Sequence, residues 1–537
     1  MPESTKFSMA NCSNLLQNGD VIEANADISG VGVVSAFMLS AYLTFAAVLA
    51  AYLFGLVDSG LLSPVDRRVF RIRPYISRST IAATAAGDHG GGHQHQYQQQ
   101  RQREEEQPTP SKLKMKAEAC VRTAVLAMSD QQIVTGIAIM GAGFQGLRTG
   151  TLSAYHYQIV LYLAWMSSSV HLTAITVLAS YLKSHRGVLA WRLTGMLVLF
   201  AMLVVGLVPT ISNDWGIFWW PNIDDDKTGW AIPARCFWGD VRGGAVSPDA
   251  PLGFVILSVS YLWKMGQLFS SSRGAYYRWF RGPIERLMVH ALRYTAETRS
   301  QPGRRSWFWL WTFRVLLAFA LPFMVIFEVV SSFAASLWLS LLGLIFGTIQ
   351  VLIPRSQMQP MTQSQEGTWG FGQLVPLILL IQPLGMVLEH VWTRERRDED
   401  ALELVRYSRT LTGSRDTQCE PKRVLCLGCQ HNVDCFQQLL LTQVSRHPGA
   451  STWPQQHGVV KDFLFSTKVF AFLVWLAQAA VVTICTSVFY FDALTIGNGR
   501  VNNWDFIVKT IGTFIGFGVA ATLAMSPFSR TGRVPRR

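Results

Sequence analysis

Residues 315–353 form a run of 39 residues with a single ionisable side chain, Glu328. As one straight helix at about 1.5 Å per residue, the run would extend roughly 58 Å, nearly twice the ~30 Å hydrocarbon thickness of a bilayer. A water-soluble domain has little use for so long an uncharged stretch, so the chain is expected to be embedded in a membrane. Whether the run is one helix or two sets the parity of the crossings. Parity in turn decides which side of the membrane each later loop faces, and whether Glu328 sits inside a helix or in a turn between two.

Composition points the same way. Half of the 537 residues are hydrophobic and only 15% are charged, as expected for several spans joined by modest loops. The net charge of +13 is distributed between apolar segments, where the positive-inside bias places basic residues, and is not read as a nucleic-acid footprint. The expected fold class is all-α, a polytopic transmembrane helical bundle with disordered inner loops. The expected partners are the lipid bilayer and anionic inner-leaflet lipids, with no nucleic acid. Protein partners and homo-oligomerisation are left open by the sequence. No phosphate-binding loop, nucleophile elbow, HExxH or Asp-rich metal motif occurs, so no catalytic residue and no cofactor is assigned.

The chain divides as follows. Residues 1–27 are expected to be an outer N-terminal segment, with no cleavable leader read in them, and 28–57 the first span, acting as a signal anchor. Residues 58–130 are a cytoplasmic loop with a low-complexity centre at 80–107, too poor in apolar residues to offset ordering entropy. Residues 131–269 hold spans two to five with an acidic, Trp-rich outer loop at 213–250. Residues 270–306 are a basic amphipathic inner segment whose Ile284, Leu287, Met288, Ala291 and Leu292 share a face suited to the inner leaflet. Residues 307–392 are the long helix and a following span, 393–467 an inner loop, partly disordered, 468–529 the last two spans and 530–537 a basic tail. Small residues recur every fourth position at Gly32, Ala36, Ser40 and Thr44, at Ala138, Ala142 and Gly146, and at Gly512, Gly516 and Ala520, and each stripe is expected to let a helix approach closely.

Acidic residues in 1–27 against Arg67, Arg68, Arg71, Arg73 and Arg78 put the N-terminus outside or in a lumen. From there, one crossing for the long run leaves the Arg394, Arg396 and Arg397 flank and the four-Arg tail in the cytoplasm. Two crossings put both outside. Nine crossings are therefore expected, with ten as the runner-up, in the plasma membrane or an endomembrane.

Three stretches carry a resemblance. Asp27-Ile28-Ser29-Gly30-Val31-Gly32-Val33, Ser153-Ala154-Tyr155-His156-Tyr157-Gln158-Ile159-Val160 and Trp369-Gly370-Phe371-Gly372-Gln373 together resemble an uncharacterised multi-pass membrane protein family of filamentous ascomycete fungi. The resemblance covers most spans but not residues 420–458. It implies a fungal origin and a membrane location, and no activity.

Intramembrane ionisable groups are functional candidates by default. They are His171, Lys264, Arg314, Glu328 and the pair Glu389 and His390, with Lys264 or His171 as the expected partner of Glu328. Cys12 and Cys236 are the lone cysteines of two outer segments and are candidates for a disulfide, and Asn11 begins a glycosylation triplet. Cys426, Cys429, His431 and Cys435 are weak metal candidates lacking a second well-spaced pair, and His89, His93, His95 and Asp224 to Asp226 read as solvated loop residues. A translated intron is an alternative origin for 420–458. The expected function is a structural, sensory or receptor-like membrane protein that is not an enzyme, the alternative being a transporter or channel using Glu328.

Overall fold

The structure is a computed structural model that describes residues 25–58, 61–72, 112–212, 215, 230, 233–240, 249–300, 306–366, 369–389, 391–392, 468–498 and 503–525. Among these residues the fold is helical, with one isolated β-bridge between Ser153 and Pro233. The helices are α1 (Ala26–Ser29), α2 (Val31–Leu53), α3 (Pro64–Arg68), α4 (Lys112–Thr149), α5 (Ala154–Ser184), α6 (Arg186–Gly206), α7 (Asp249–Leu268), α8 (Ser270–Tyr276), α9 (Gly282–Ser300), α10 (Ser306–Val330), α11 (Phe333–Glu366), α12 (Phe371–Leu379), α13 (Lys468–Asn498) and α14 (Asn503–Met525). Seven described helices are long and apolar enough to cross a membrane.

Helix α5 is the axis of the bundle. It contains no Gly or Pro and is started by Ser153, whose Oγ accepts from the His156 amide at 3.2 Å. Its whole apolar window is buried, enclosed by α2, α4, α6, α7 and α11. The polar side chains along it are therefore buried too, and they pair with neighbours: Ser167 Oγ donates to Gln132 Oε1 at 2.8 Å, and Trp165 Nε1 to the Gly343 carbonyl at 2.8 Å.

Pairings along the helices fix their directions. Tyr52 stacks on Phe333 at 4.9 Å, Tyr42 hydrogen-bonds Thr348 at 2.8 Å, and Ser29 meets Glu366 at 2.7 Å, so α2 and α11 are antiparallel. Tyr155 with Glu366 and Gln158 with Gln350, each at 2.8 Å, make α5 antiparallel to α11. The bundle thus has one end at Ser29, Tyr155 and Glu366 and another at Tyr52, Asp66 and Phe333.

The 315–353 run is two helices, α10 and α11, broken at Ser331 and Ser332. This corrects the single long helix. Ser332 N donates to the Val329 carbonyl three residues back at 2.9 Å and Ser332 Oγ to the same carbonyl at 2.5 Å, taking up the acceptor that a continuing helix would offer to Phe333 N. Ser332 Oγ then accepts from Ala335 N at 3.1 Å, as an N-cap does. A second cap comes from far away in sequence. The Asp66 carboxylate accepts from Phe333 N at 2.9 Å and Ala334 N at 3.3 Å, while also binding Tyr52 OH at 2.8 Å and Ser63 N at 2.9 Å.

What precedes the break is a hairpin. Arg281, just before α9, meets Glu328 near the end of α10, and Tyr294 packs edge-on to Trp309 at 6.1 Å, so α9 and α10 are antiparallel. Helix α7 ends, and α11 begins, at the Asp66 end, so the α8–α10 segment leaves that end and returns to it. Val289, Leu292 and Ala296 of α9 are buried against α10 together with Phe313, Leu317 and Leu321. The apolar face expected to lie on lipid is thus covered by protein, and Leu287 points outward, 70% exposed. Helix α10 also packs on α13 and α14, and turns Val315, Phe319 and Phe323 outward.

Two further expectations are corrected. Residues 112–130, expected as loop, are the first half of α4, extended by polar turns such as the Glu118–Arg122 ion pair at 3.1 Å. Of the three small-residue stripes, the first is buried, with Gly32, Ala36, Ser40 and Thr44 all inside. In α4, Ala138 and Ala142 face outward while Gly146 of the same stripe is buried against Leu152, and further close approaches are at Gly136 and Gly143, where an added Cβ would lie 2.7 Å from Ser167 Oγ and from Val160 Cγ1. In α14, Gly512 and Gly516 face open space, and Gly518 sits against Pro322.

Candidate functional site

At the Ser29 end, the three stretches that carried the resemblance come together. Glu366, 5% exposed, accepts at one oxygen from Ser29 Oγ (2.7 Å) and Tyr155 OH (2.8 Å), and faces Arg355 at 3.7 Å across its other oxygen. Arg355 also donates to the Ser29 carbonyl. The Asn25 amide donates to His156 Nε2 at 3.0 Å, which makes Nε2 an acceptor and leaves the ring proton on Nδ1, 2.8 Å from Ser153 Oγ. Gln373 Oε1 accepts from Gly32 N at 3.0 Å. The glycines of these stretches are required by proximity: a Cβ on Gly32 would lie 2.7 Å from Gln373 Cβ, and one on Gly372 2.4 Å from Asp27 Oδ1. The 233–236 segment closes over the start of α5, with Ala234 N donating to the Leu152 carbonyl at 2.9 Å. Gly150, at φ +74°, accommodates Arg235 where a side chain would collide. This end of the bundle is a buried polar lock.

The Asp66 end is built differently. A cavity of about 630 Å3 opens between α5, α7, α8, α11 and the chain at 61–63. Its walls are apolar at Ile175, Val259, Leu262, Trp263 and Phe333, and its charged lining is Lys183, Lys264, Arg273 and Arg281. No carboxylate lines it among the described residues. Lys264, 2% exposed, donates its three protons to Thr176 Oγ1 (2.8 Å), the Ser336 carbonyl (2.8 Å) and Ser340 Oγ (2.9 Å).

The partners expected for Glu328 are replaced by another. Glu328 is held by Arg281, whose Nε also binds Glu285 at 2.7 Å. Burial works against the Arg281 charge, but Glu328 and Glu285 outweigh it and raise its pKa above the ordinary guanidinium value. Lys264 instead joins α7 to α5 and α11, and His171 Nε2 pairs with Tyr261 OH at 2.9 Å. Arg314, 7% exposed, lies over the Trp311 ring at 5.7 Å. Glu328, Lys264, His171 and Arg314 thus engage different neighbours: Arg281, the Thr176, Ser336 and Ser340 oxygens, Tyr261 and Trp311.

Cys236 is disulfide-bonded. Its expected partner Cys12, together with Asn11, His89, His93, His95, Asp224 to Asp226, His390, Cys426, Cys429, His431 and Cys435, lies outside the described residues. No group of three or more metal-binding side chains occurs among the described residues.

Asp66, Arg281 and Glu366 were missed by sequence reasoning, and Gln373 was noticed only as part of a stretch that carried the resemblance. Ser63-Pro64-Val65-Asp66 carries a capping-box signature that marks Asp66 as a helix-terminal acceptor, and both reciprocal bonds form. Nothing in the sequence around Glu366 or Arg281 announces their long-range partners.

No protein-family model and no solved structure matches the chain. Two curated proteins of Elsinoe fawcettii do. "Elsinochromes biosynthesis cluster protein HP2" is 26% identical over 192 residues, covering 31% of this chain and 48% of that protein. "Elsinochromes biosynthesis cluster protein HP3" is 32% identical over 149 residues, covering 28% of this chain and 45% of that protein. The chain is similar to fungal biosynthesis-cluster proteins. It spans about half the length of these relatives.

Proposed function

We propose that the chain is a nine-crossing integral membrane protein that binds a ligand in a receptor-like manner, in the service of a fungal biosynthetic pathway. The carrying observation is the contrast between its two ends: a buried polar lock at Ser29 and Glu366, and a cavity of about 630 Å3 at the Asp66 end. A bundle closed at one end and hollowed at the other suits occupancy by a ligand better than passage through. The engagement of Glu328 by Arg281 supports a bridging role for that carboxylate, and speaks against its use in an ion path. The biosynthetic setting rests on the names of the two relatives.

In this reading α2, α4, α5, α6, α7, α11, the apolar run Phe371–Glu389 that α12 opens, α13 and α14 cross. The α9–α10 hairpin lies at the inner surface, with Val315, Phe319 and Phe323 toward lipid acyl chains and the arginines of α8 and α9 near anionic headgroups. The Asp66 end faces the cytoplasm, because Arg67, Arg68, Arg186, Arg192, Arg273 and Arg278 gather there. The disulfide at Cys236, beside the Ser29 end, supports an oxidising compartment on that side, and Cys12 is the partner we assign to it.

Glycosylation acceptors inserted singly at 241–248 and at 301–305 test the topology. The first is expected to be modified and the second unmodified; modification at 301–305 means that α9 and α10 both cross. Purified protein in liposomes is expected to leave proton and potassium leak at the empty-liposome level. A flux abolished by Glu328→Gln would establish the transporter reading instead.

A further inference from the structure

The geometry of the Asp66-end cavity points to an amphipathic organic anion as its ligand, with a carboxylate or phosphate head among Lys183, Lys264 and Arg273 and an apolar body against Trp263 and Phe333. This deepens the binding reading above and rests on it. At about 630 Å3 the cavity falls within the roughly 300–1,000 Å3 range of small-molecule sites. Its four lining cations face no lining acid among the described residues. The carboxylates nearby are committed elsewhere. Glu285 and Glu328 hold Arg281, and Asp66 caps α11. Lys183 and Arg273 both line the cavity, and the Lys183 ammonium is disfavoured first by burial and then by Arg273, with Asp58 offsetting them only in part.

Lys264 makes the case from inside. Its three hydrogen bonds are all to neutral oxygens, and no carboxylate lies within ion-pair distance among the described residues. An ammonium taken out of water costs several kcal/mol that neutral acceptors only partly return, and the cavity that Lys264 lines leaves room for a counter-charge. Apolar walls alone would accept any oily molecule; the cations add the demand for negative charge. The rival account makes Lys264 only a bridge between α5, α7 and α11, and the experiment separates the two.

Full-length protein in nanodiscs of phosphatidylcholine is titrated with radiolabelled decanoate and, separately, decanol. Saturable decanoate binding with no saturable decanol binding is expected. Arg273→Ala and Lys183→Ala, both at exposed mouth positions, are each expected to weaken decanoate by about tenfold, the factor that about 1.4 kcal/mol supplies. Lys264→Met is expected to abolish saturable binding while eluting as a single species. If that variant aggregates, the mouth variants decide. Including phosphatidate in the disc identifies the source: displacement of decanoate assigns the site to a lipid headgroup, and unchanged decanoate binding assigns it to a free metabolite anion. Equal retention of decanol and decanoate, or decanoate affinity unchanged in Arg273→Ala and Lys183→Ala, overturns the proposal. Neither result touches the topology or the leak measurements, so the two readings fail separately.

Discussion

Asp66 is the residue on which the break in the long apolar run depends. Its carboxylate, fully buried, accepts from four donors: Tyr52 OH and Ala334 N at one oxygen, Ser63 N and Phe333 N at the other. Asp66→Asn keeps one oxygen and turns an NH2 group toward the two remaining donors. At about 1–3 kcal/mol for each buried donor left unsatisfied, the cost is about 2–6 kcal/mol. Asp66→Ala strands all four and costs more. Ser332→Ala removes only the local cap and is expected to cost about 0.5–2 kcal/mol. The assay is the temperature at which half of the detergent-solubilised protein leaves the monodisperse chromatographic peak. Its expected order is wild type, Ser332→Ala, Asp66→Asn and Asp66→Ala, from highest to lowest. If Asp66→Asn matches wild type, or loses less than Ser332→Ala, the break is set by the serines alone and the long-range cap is not a stabilising feature.

Two further outcomes are expected in the same assay. Arg281→Ala leaves Glu285 and Glu328 buried without their cation and is expected to cost about 3–5 kcal/mol, whereas Glu328→Gln keeps the Arg281–Glu285 pair and costs less. The reverse order would mean that Glu328 has a role the bridge does not explain. Gly372→Val drives a side chain into Asp27 and is expected to cost about 1–3 kcal/mol, while Gly512→Val meets open space and stays within about 0.5 kcal/mol of wild type. Equal losses at the two glycines would remove the close approach at the Ser29 end.

The class of fold was legible because it depends on sums: long apolar runs with few charges read as membrane-length helices whatever their neighbours, and seven described helices meet that standard. What depended on partners was not legible. Spacing alone selected Ala138, Ala142 and Gly146 in α4, of which only Gly146 is a close approach; helical period leaves several faces equally regular, and the face that packs also carries Gly136, Gly143 and the polar pair of Gln132 with Ser167. The same limit applied to charge. Lys264 and His171 were reasonable partners for Glu328 by depth, but Arg281, assigned to a surface segment, is brought to it by the α9–α10 hairpin. Of the two ends, the Ser29 lock drew on three stretches already noticed together, though nothing in their spacing said that Glu366 would join them. The cavity was invisible, since four cations from α5, α7, α8 and the turn before α9 share no pattern along the chain.

At Ser331 and Ser332 the number of helices in the run parts from the number of its crossings. Charge bias reads on which side a loop lies; it is blind to any segment that departs from a side and returns to it. The α9–α10 hairpin is such a segment in the proposed topology. Helix α10 has the length and apolarity of a span, yet it only returns to the end where α7 finished, closing an excursion opened by α9, whose Arg286, His290 and Glu297 are exposed. Carrying those three side chains across hydrocarbon would cost at least about 2.5 kcal/mol for a central Arg alone, and α10 alone cannot cross without changing the side on which α11 begins. In the proposed topology one crossing for the run and a break within it are therefore compatible: there α11 crosses and α10 lies along the inner surface, with Glu328 turned toward Arg281 at the edge of the cavity.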